Sequence, residues 1–181
     1  MRSFEKAGLI CIDVERHNDA RGYFAETFNK EKFMQLTGLQ IDWVQDNQSF
    51  SKKAGTIRGL HFQKPPFAQA KLVSCRRGAI FDVAVDIRKG SDTYGEWWGL
   101  ELSETNRKQF LIPIGFAHGF VTLVPNTEVF YKCSDYYNVG SEGCLNWRDP
   151  SINIDWPLDG EPLLSDKDAF APFFNDFESP F

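Results

Sequence analysis

Three histidines serve the whole 181-residue chain, and one of them, His61, shares the segment "RGLHFQKPPFAQAK" with Lys71. A neutral imidazole takes up a proton near pH 7, and a fixed ammonium stabilises an oxyanion formed when that proton leaves. Read as antiparallel strands joined across Pro65–Pro66, "TIRGLHFQ" and "AKLVSCRR" bring His61 and Lys71 together on neighbouring strands. An ordinary explanation stands beside this one: a satisfied core histidine, and a lysine reaching solvent from an edge strand. Arg58 falls on the opposite strand face from His61 unless a bulge or bend intervenes, and Gly59 is the position for one.

Other residues carry chemistry with the same two-sided reading. Asp168 lies three residues after Ser165, so its carboxylate either stabilises a helix start or orients a histidine and favours its imidazolium form. Tyr131, in "EVFYKC", shares a strand face with Val129 and Cys133, where a core aromatic with a hydrogen-bonded hydroxyl is the commoner fate. The stretch "VQDNQSFS" alternates Gln45, Asn47 and Ser49 with Asp46, Gln48 and Phe50. One face thus offers two amides and a hydroxyl, suited to a sugar or nucleobase and equally to a wet outer face. His17, His61 and His118 stand apart with no His-x-His, so no metal site is expected.

The elements that must position these groups read mostly as strands. In "AIFDVAVDIR", Phe81, Val83, Val85 and Ile87 fall on one face and Ile80, Asp82, Ala84 and Asp86 on the other, which is mixed. Trp98, Leu100 and Leu102 alternate, as do Phe110, Ile112 and Ile114. Turn signals separate the runs at Arg77-Gly78, Lys89-Gly90-Ser91-Asp92, Pro113 to Gly115 and Pro125-Asn126. Two short helices are expected, one capped by Asn29 and stopped by Gly38, one capped by Ser165. Many short strands with few helices predict an all-β sandwich or barrel, jelly roll foremost.

The chain shows no linker or repeat, so residues 1–181 are expected to form a single domain. A net charge of −5 disfavours a broad nucleic-acid or anionic-membrane surface, while a few local cations remain enough for a small anion. No apolar run near the N-terminus suits a signal peptide or spanning helix. Cys11, Cys75, Cys133 and Cys144 form no C-x-x-C pair, and free thiols in a cytoplasmic protein are expected.

Together, "DARGYFAETF", "QDNQSFS", "TIRGLHFQKPPFAQAKLV", "GAIFDVAVDIRKGSDTYGEW", "IPIGFAHGF", "VFYKCSDYY" and "LLSDKDA" resemble the dTDP-4-dehydrorhamnose 3,5-epimerases in order and spacing, from about residue 8 to residue 170. The resemblance implies a cupin-type jelly roll, usually a homodimer, that uses no metal or organic cofactor. It implies epimerisation of a nucleotide-linked 4-keto-6-deoxyhexose at the carbons flanking the ketone. By the same resemblance His61 is the base, Asp168 its dyad partner, Lys71 the group that stabilises the ketone oxygen, and Tyr131 the proton donor. Arg21, Phe24, Glu26, Gln45, Asp46, Asn47, Arg58, His118, Glu142 and Lys167 are similar to the family's ligand contacts, as is Lys71. Two rivals stay open: an epimerase acting at C3 or C5 alone, or on a CDP-linked sugar, and a non-catalytic jelly roll that only binds a sugar nucleotide.

Overall fold

The computed structural model describes the backbone of residues 2–4 and all of residues 7–181. Strands β1 (Arg2–Phe4), β2 (Leu9–Asp13), β3 (His17–Asp19) and β4 (Gly22–Phe24) come first, then helix α1 (Lys30–Thr37). Next are β5 (Gln45–Ser51), β6 (Ile57–Gln63), β7 (Lys71–Arg77), β8 (Ala79–Asp86) and β9 (Trp97–Ser103). The series closes with β10 (Lys108–Ile112), β11 (Phe116–Thr122), β12 (Thr127–Cys133), β13 (Glu142–Cys144) and the four-residue helix α2 (Asp166–Ala169).

These strands make two facing sheets, β1-β2-β10-β7-β12-β5 and β13-β6-β11-β8-β9, with β3-β4 as a separate hairpin. The result is the jelly-roll sandwich that the strand pattern predicts. Its interior joins Val73, Phe110, Ile112 and Val129 of one sheet to Ile80, Ala84, Leu102, Phe116 and Phe120 of the other. Each fully buried side chain of this size contributes about 1.5–3 kcal/mol, and truncating Phe110, which has no exposed surface, would cost roughly 3–5 kcal/mol.

Alternation alone does not say which face of β8 looks inward. The wholly apolar face turns out to point away from the facing sheet. Val83, Val85 and Ile87 pack there with Leu60, Phe62 and Leu145, and Trp156, Phe174, Phe177 and Phe181 from the last part of the chain cover them. The mixed face looks inward, carrying Ile80 and Ala84 into the core and Asp82 toward the cavity floor. Helix α1 covers the other sheet, with Phe33 against Ile10, Ile12, Leu72 and Leu111. As expected, Asn29 caps it by accepting from the Glu31 and Lys32 amides, and Gly38 ends it at φ 71°.

One expected pairing is absent. β6 pairs with β11 and β13 in one sheet, while β7 pairs with β10 and β12 in the other, so the two do not form a hairpin across Pro65–Pro66. Prolines lack the N–H a ladder needs, and the connection instead crosses from sheet to sheet. His61 and Lys71 therefore approach each other across the sandwich. Among the described residues two peptide bonds are cis, Gly59–Leu60 and Pro65–Pro66.

The bend expected at Gly59 is present. His118 pairs with His61 and Phe120 with Arg58, so three steps along β6 oppose two along β11. This bulge restores Arg58 and His61 to one face. Gly59 adopts φ 128°, and a Cβ there would stand 2.5 Å from the Gly119 Cα and 2.8 Å from the His118 carbonyl oxygen. Only glycine fits that close approach.

Candidate active site

A cavity of about 650 Å³ opens between the sheets, lined by Arg58 and His61 of β6, Lys71 of β7, His118 of β11, Tyr131 of β12, and Asp168 of α2. A neighbouring hollow of about 370 Å³ shares His61, Lys71, Tyr131 and Glu142 and adds Gln45, Asn47, Gln63, Gln69 and Tyr137. Both lie within the range typical of small-molecule sites.

The His61 Nε2 lies 2.6 Å from Asp168 Oδ1. Ser165 holds the carboxylate from the other side, its hydroxyl donating to Asp168 Oδ2 at 2.9 Å and accepting the Asp168 amide at 3.2 Å. Asp168 thus bonds both the helix-capping Ser165 and His61. Burial alone would raise its pKa, yet the bonds from His61 and Ser165 outweigh this and hold the acid below its ordinary value, as an anion. A carboxylate only accepts, so Nε2 carries the proton and Nδ1 is left as the basic nitrogen.

Lys71 stands on the facing sheet and donates to the His61 carbonyl at 3.4 Å. Desolvation lowers its pKa, while the neighbouring Asp82 carboxylate pulls in the opposite direction. Asp82 is fully buried; one oxygen meets His118 Nε2 at 2.8 Å and the other has no hydrogen-bond partner. Burial lowers the His118 pKa against the pull of Asp82, so this imidazole is neutral on the cavity floor. Tyr131 sits two residues from the register partner of Lys71, on the wall opposite His61. Burial pushes its phenol up, so it holds its proton at neutral pH.

Several expected ligand contacts gather at this site. Arg58 reaches the Ser51 hydroxyl at 3.3 Å and the Phe50 carbonyl at 3.1 Å. Glu142 and Lys167 form a 2.7 Å ion pair at the rim. Gln45 donates to Asn47 at 3.0 Å, both on the cavity side of β5. Asp46 does not join them: strand alternation turns it outward, where it pairs with Lys132 at 3.0 Å. Arg21, Phe24 and Glu26 also line neither hollow. Arg21 is paired with Asp19 at 2.6 Å, Phe24 is 69% exposed, and Glu26 is paired with Lys32 at 2.7 Å.

Gln63, Gln69 and Tyr137 were not singled out in the sequence, because they sit at a strand end and in connections where no period marks a face. Among the described residues, no three of His, Cys, Asp and Glu gather as a metal site would require. Cys75, Cys133 and Cys144 are free thiols, and no helix among the described residues is long and apolar enough to cross a membrane.

A family profile described as dTDP-4-dehydrorhamnose 3,5-epimerase matches residues 4–176. The enzyme of that name from Methanothermobacter thermautotrophicus is 52% identical over 163 residues, 89% of this chain and 86% of its own. A Bacillus anthracis dTDP-4-dehydrorhamnose 3,5-epimerase with TDP and PPi bound superposes with a TM-score of 0.89 at 47% identity, covering 92% of this chain and 94% of that one. A Legionella pneumophila dTDP-6-deoxy-D-glucose-3,5-epimerase, solved with dTDP-4-keto-L-rhamnose, gives a TM-score of 0.91 at 46% identity, covering 94% and 90%.

Proposed function

The chain belongs to the dTDP-4-dehydrorhamnose 3,5-epimerase family, and from that premise we propose that it converts dTDP-4-dehydro-6-deoxy-D-glucose to dTDP-4-dehydro-L-rhamnose. One observation carries the assignment of roles: a histidine held by a carboxylate and a tyrosine stand on facing sheets of one cavity, with the Lys71 amine 3.4 Å from the His61 carbonyl.

The chemistry follows from that arrangement. His61 Nδ1 takes the proton from C3 or C5, and the C–H electron pair becomes the C=C bond of an enolate. The charge passes to the C4 oxygen, where Lys71 stabilises it. Tyr131 then returns a proton to the opposite face of the same carbon, the carbonyl re-forms, and the configuration is inverted. His61 releases its proton to solvent and Tyr131 regains one before the second carbon reacts. Asp168 fixes the tautomer that makes Nδ1 basic and stabilises the imidazolium formed in between. Arg58 and Lys167 offset the diphosphate charge, which explains how an acidic chain accommodates a dianionic ligand.

Deuterium labelling tests this reading. In D₂O the enzyme should place deuterium at both C3 and C5 of the product, read by NMR. Label at one carbon would replace it with the single-position reading, and no label with any sugar nucleotide would leave only a binding protein.

A homodimer is part of the same proposal. Arg21, Phe24 and Glu26 are similar to ligand contacts of the family, yet their own chain's cavity does not include them. A second copy would bring that exposed hairpin region to the cavity. Sedimentation velocity should give twice the chain mass; a monomer that is fully active would sink this part.

A further inference from the structure

The connection from β12 to β13 carries Tyr137 over the smaller hollow, and four consecutive residues in it are held in an unusual way. Gln69 Nε2 donates to the Asp135 carbonyl at 2.7 Å, and Gln63 Nε2 to the Tyr136 carbonyl at 3.1 Å. The Tyr137 amide donates to Gln45 Oε1 at 2.9 Å, and the Asn138 amide to Gln63 Oε1 at 2.7 Å. Three glutamine side chains, from β5, from the end of β6 and from the β6–β7 connection, thus replace the neighbouring strand this loop lacks. Gln63 is 5% exposed and also donates to the Phe67 carbonyl at 2.6 Å, so the same amide ties the β6–β7 connection to the loop. Gln45 has both ends of its amide engaged, on Tyr137 and on Asn47. They share the smaller hollow with His61 and Tyr131, but these bonds all end on backbone or on one another's strand and none touches the His61 ring or the Tyr131 hydroxyl.

We propose that Gln45, Gln63 and Gln69 are positioning residues that hold the 135–138 loop in its binding shape before any ligand arrives. The proposal rests on the reading that this cavity takes a sugar nucleotide. A loop already ordered does not have to be ordered on binding, so the benefit falls on affinity and not on the chemical step. Gln63 contributes most, because its single amide holds two loop residues and the adjoining connection.

Two measurements test this. Hydrogen exchange by NMR on the ligand-free protein should show the Tyr137 and Asn138 amides protected, and Gln63→Met should release Asn138. The same variant should raise KM about ten- to hundredfold from three lost bonds, with kcat within about twofold; Gln69→Met, losing one bond, should raise KM about fivefold. Gln63→Glu keeps the acceptor for Asn138 but sets a carboxylate oxygen against the Phe67 and Tyr136 carbonyls, so it should raise KM at least as far as Gln63→Met. If Gln63→Met does not fold, the milder Gln69→Met carries the test. An Asn138 amide exchanging at the unfolded rate in the wild type would overturn the proposal. So would variants that lower kcat at unchanged KM. Absence of turnover with every sugar nucleotide would instead defeat the functional reading, while the amide measurement judges the loop by itself.

Discussion

Gly59→Ala separates two costs that the β6 bulge combines. The backbone there sits at φ 128°, where an L side chain is strained, at a cost of about 1–3 kcal/mol. The new Cβ would also stand 2.5 Å from the Gly119 Cα, a backbone atom that no rotamer change moves away. Overpacking of that kind adds roughly 1–3 kcal/mol. The sum is about 2–6 kcal/mol, or a melting temperature about 4–24 °C lower for a chain of this size. Gly22 provides the control. It has nearly the same φ, 132°, with no atom within 4 Å of a Cβ, so Gly22→Ala carries the strain alone. Urea denaturation of both variants at one protein concentration therefore measures the clash by difference. A chain that relieves the clash by losing the bulge would turn Arg58 out of the cavity, so KM for the sugar nucleotide should rise as well. Equal destabilisation by the two substitutions, or a Gly59→Ala protein with unchanged stability and KM, would refute the claim that this close approach sets the register of the site.

Tyr131→Phe removes the acid but leaves the base, so solvent deuterium should still wash into the substrate while inverted product falls about 10²–10⁴-fold; chiral analysis of the labelled sugar reads both. Asp86 gives a pH effect. Burial would raise its pKa, but Arg88, Thr93 and Ser91 hold it down to about 2. A depressed carboxylate pKa stabilises the fold above the unfolded value of 3.8 and loses that contribution as pH falls toward the folded value. Between pH 5 and pH 3 the loss from this group should be about 1 kcal/mol, absent from the Asp86→Asn protein, which should be less stable than wild type at pH 7.

The period-two alternation made the sandwich legible, and the cap residues Asn29, Gly38 and Ser165 marked both helices. The bulge was legible too, because Arg58 and His61 could not share a face without it. What the sequence left open were decisions made between distant segments. Whether β6 and β7 pair or face each other depends on partners 35 or more residues away, and a Pro-Pro turn is consistent with either. Which side of β8 looks inward depends on the aromatic cover near residues 174–181. His61, Lys71, Tyr131 and Asp168 stood out by residue type but took definite roles only through family resemblance, whereas Gln63 and Gln69 hold backbone from a strand end and a connection, where no periodicity exposes them. Alternation turns the middle member of Gln45-Asp46-Asn47 outward, to Lys132, a placement that the motif by itself does not reveal.

Strand β6 divides its duties by residue. Arg58 and His61 belong to the cavity, while Leu60 and Phe62 anchor the strand from behind, under Phe177 and Phe181. Substrate scope and foldability are therefore written on alternating positions of one ribbon. A change at Arg58 or His61 would alter ligand handling or catalysis at little cost to the core, and a single change on the reverse side would cost yield without teaching anything about chemistry.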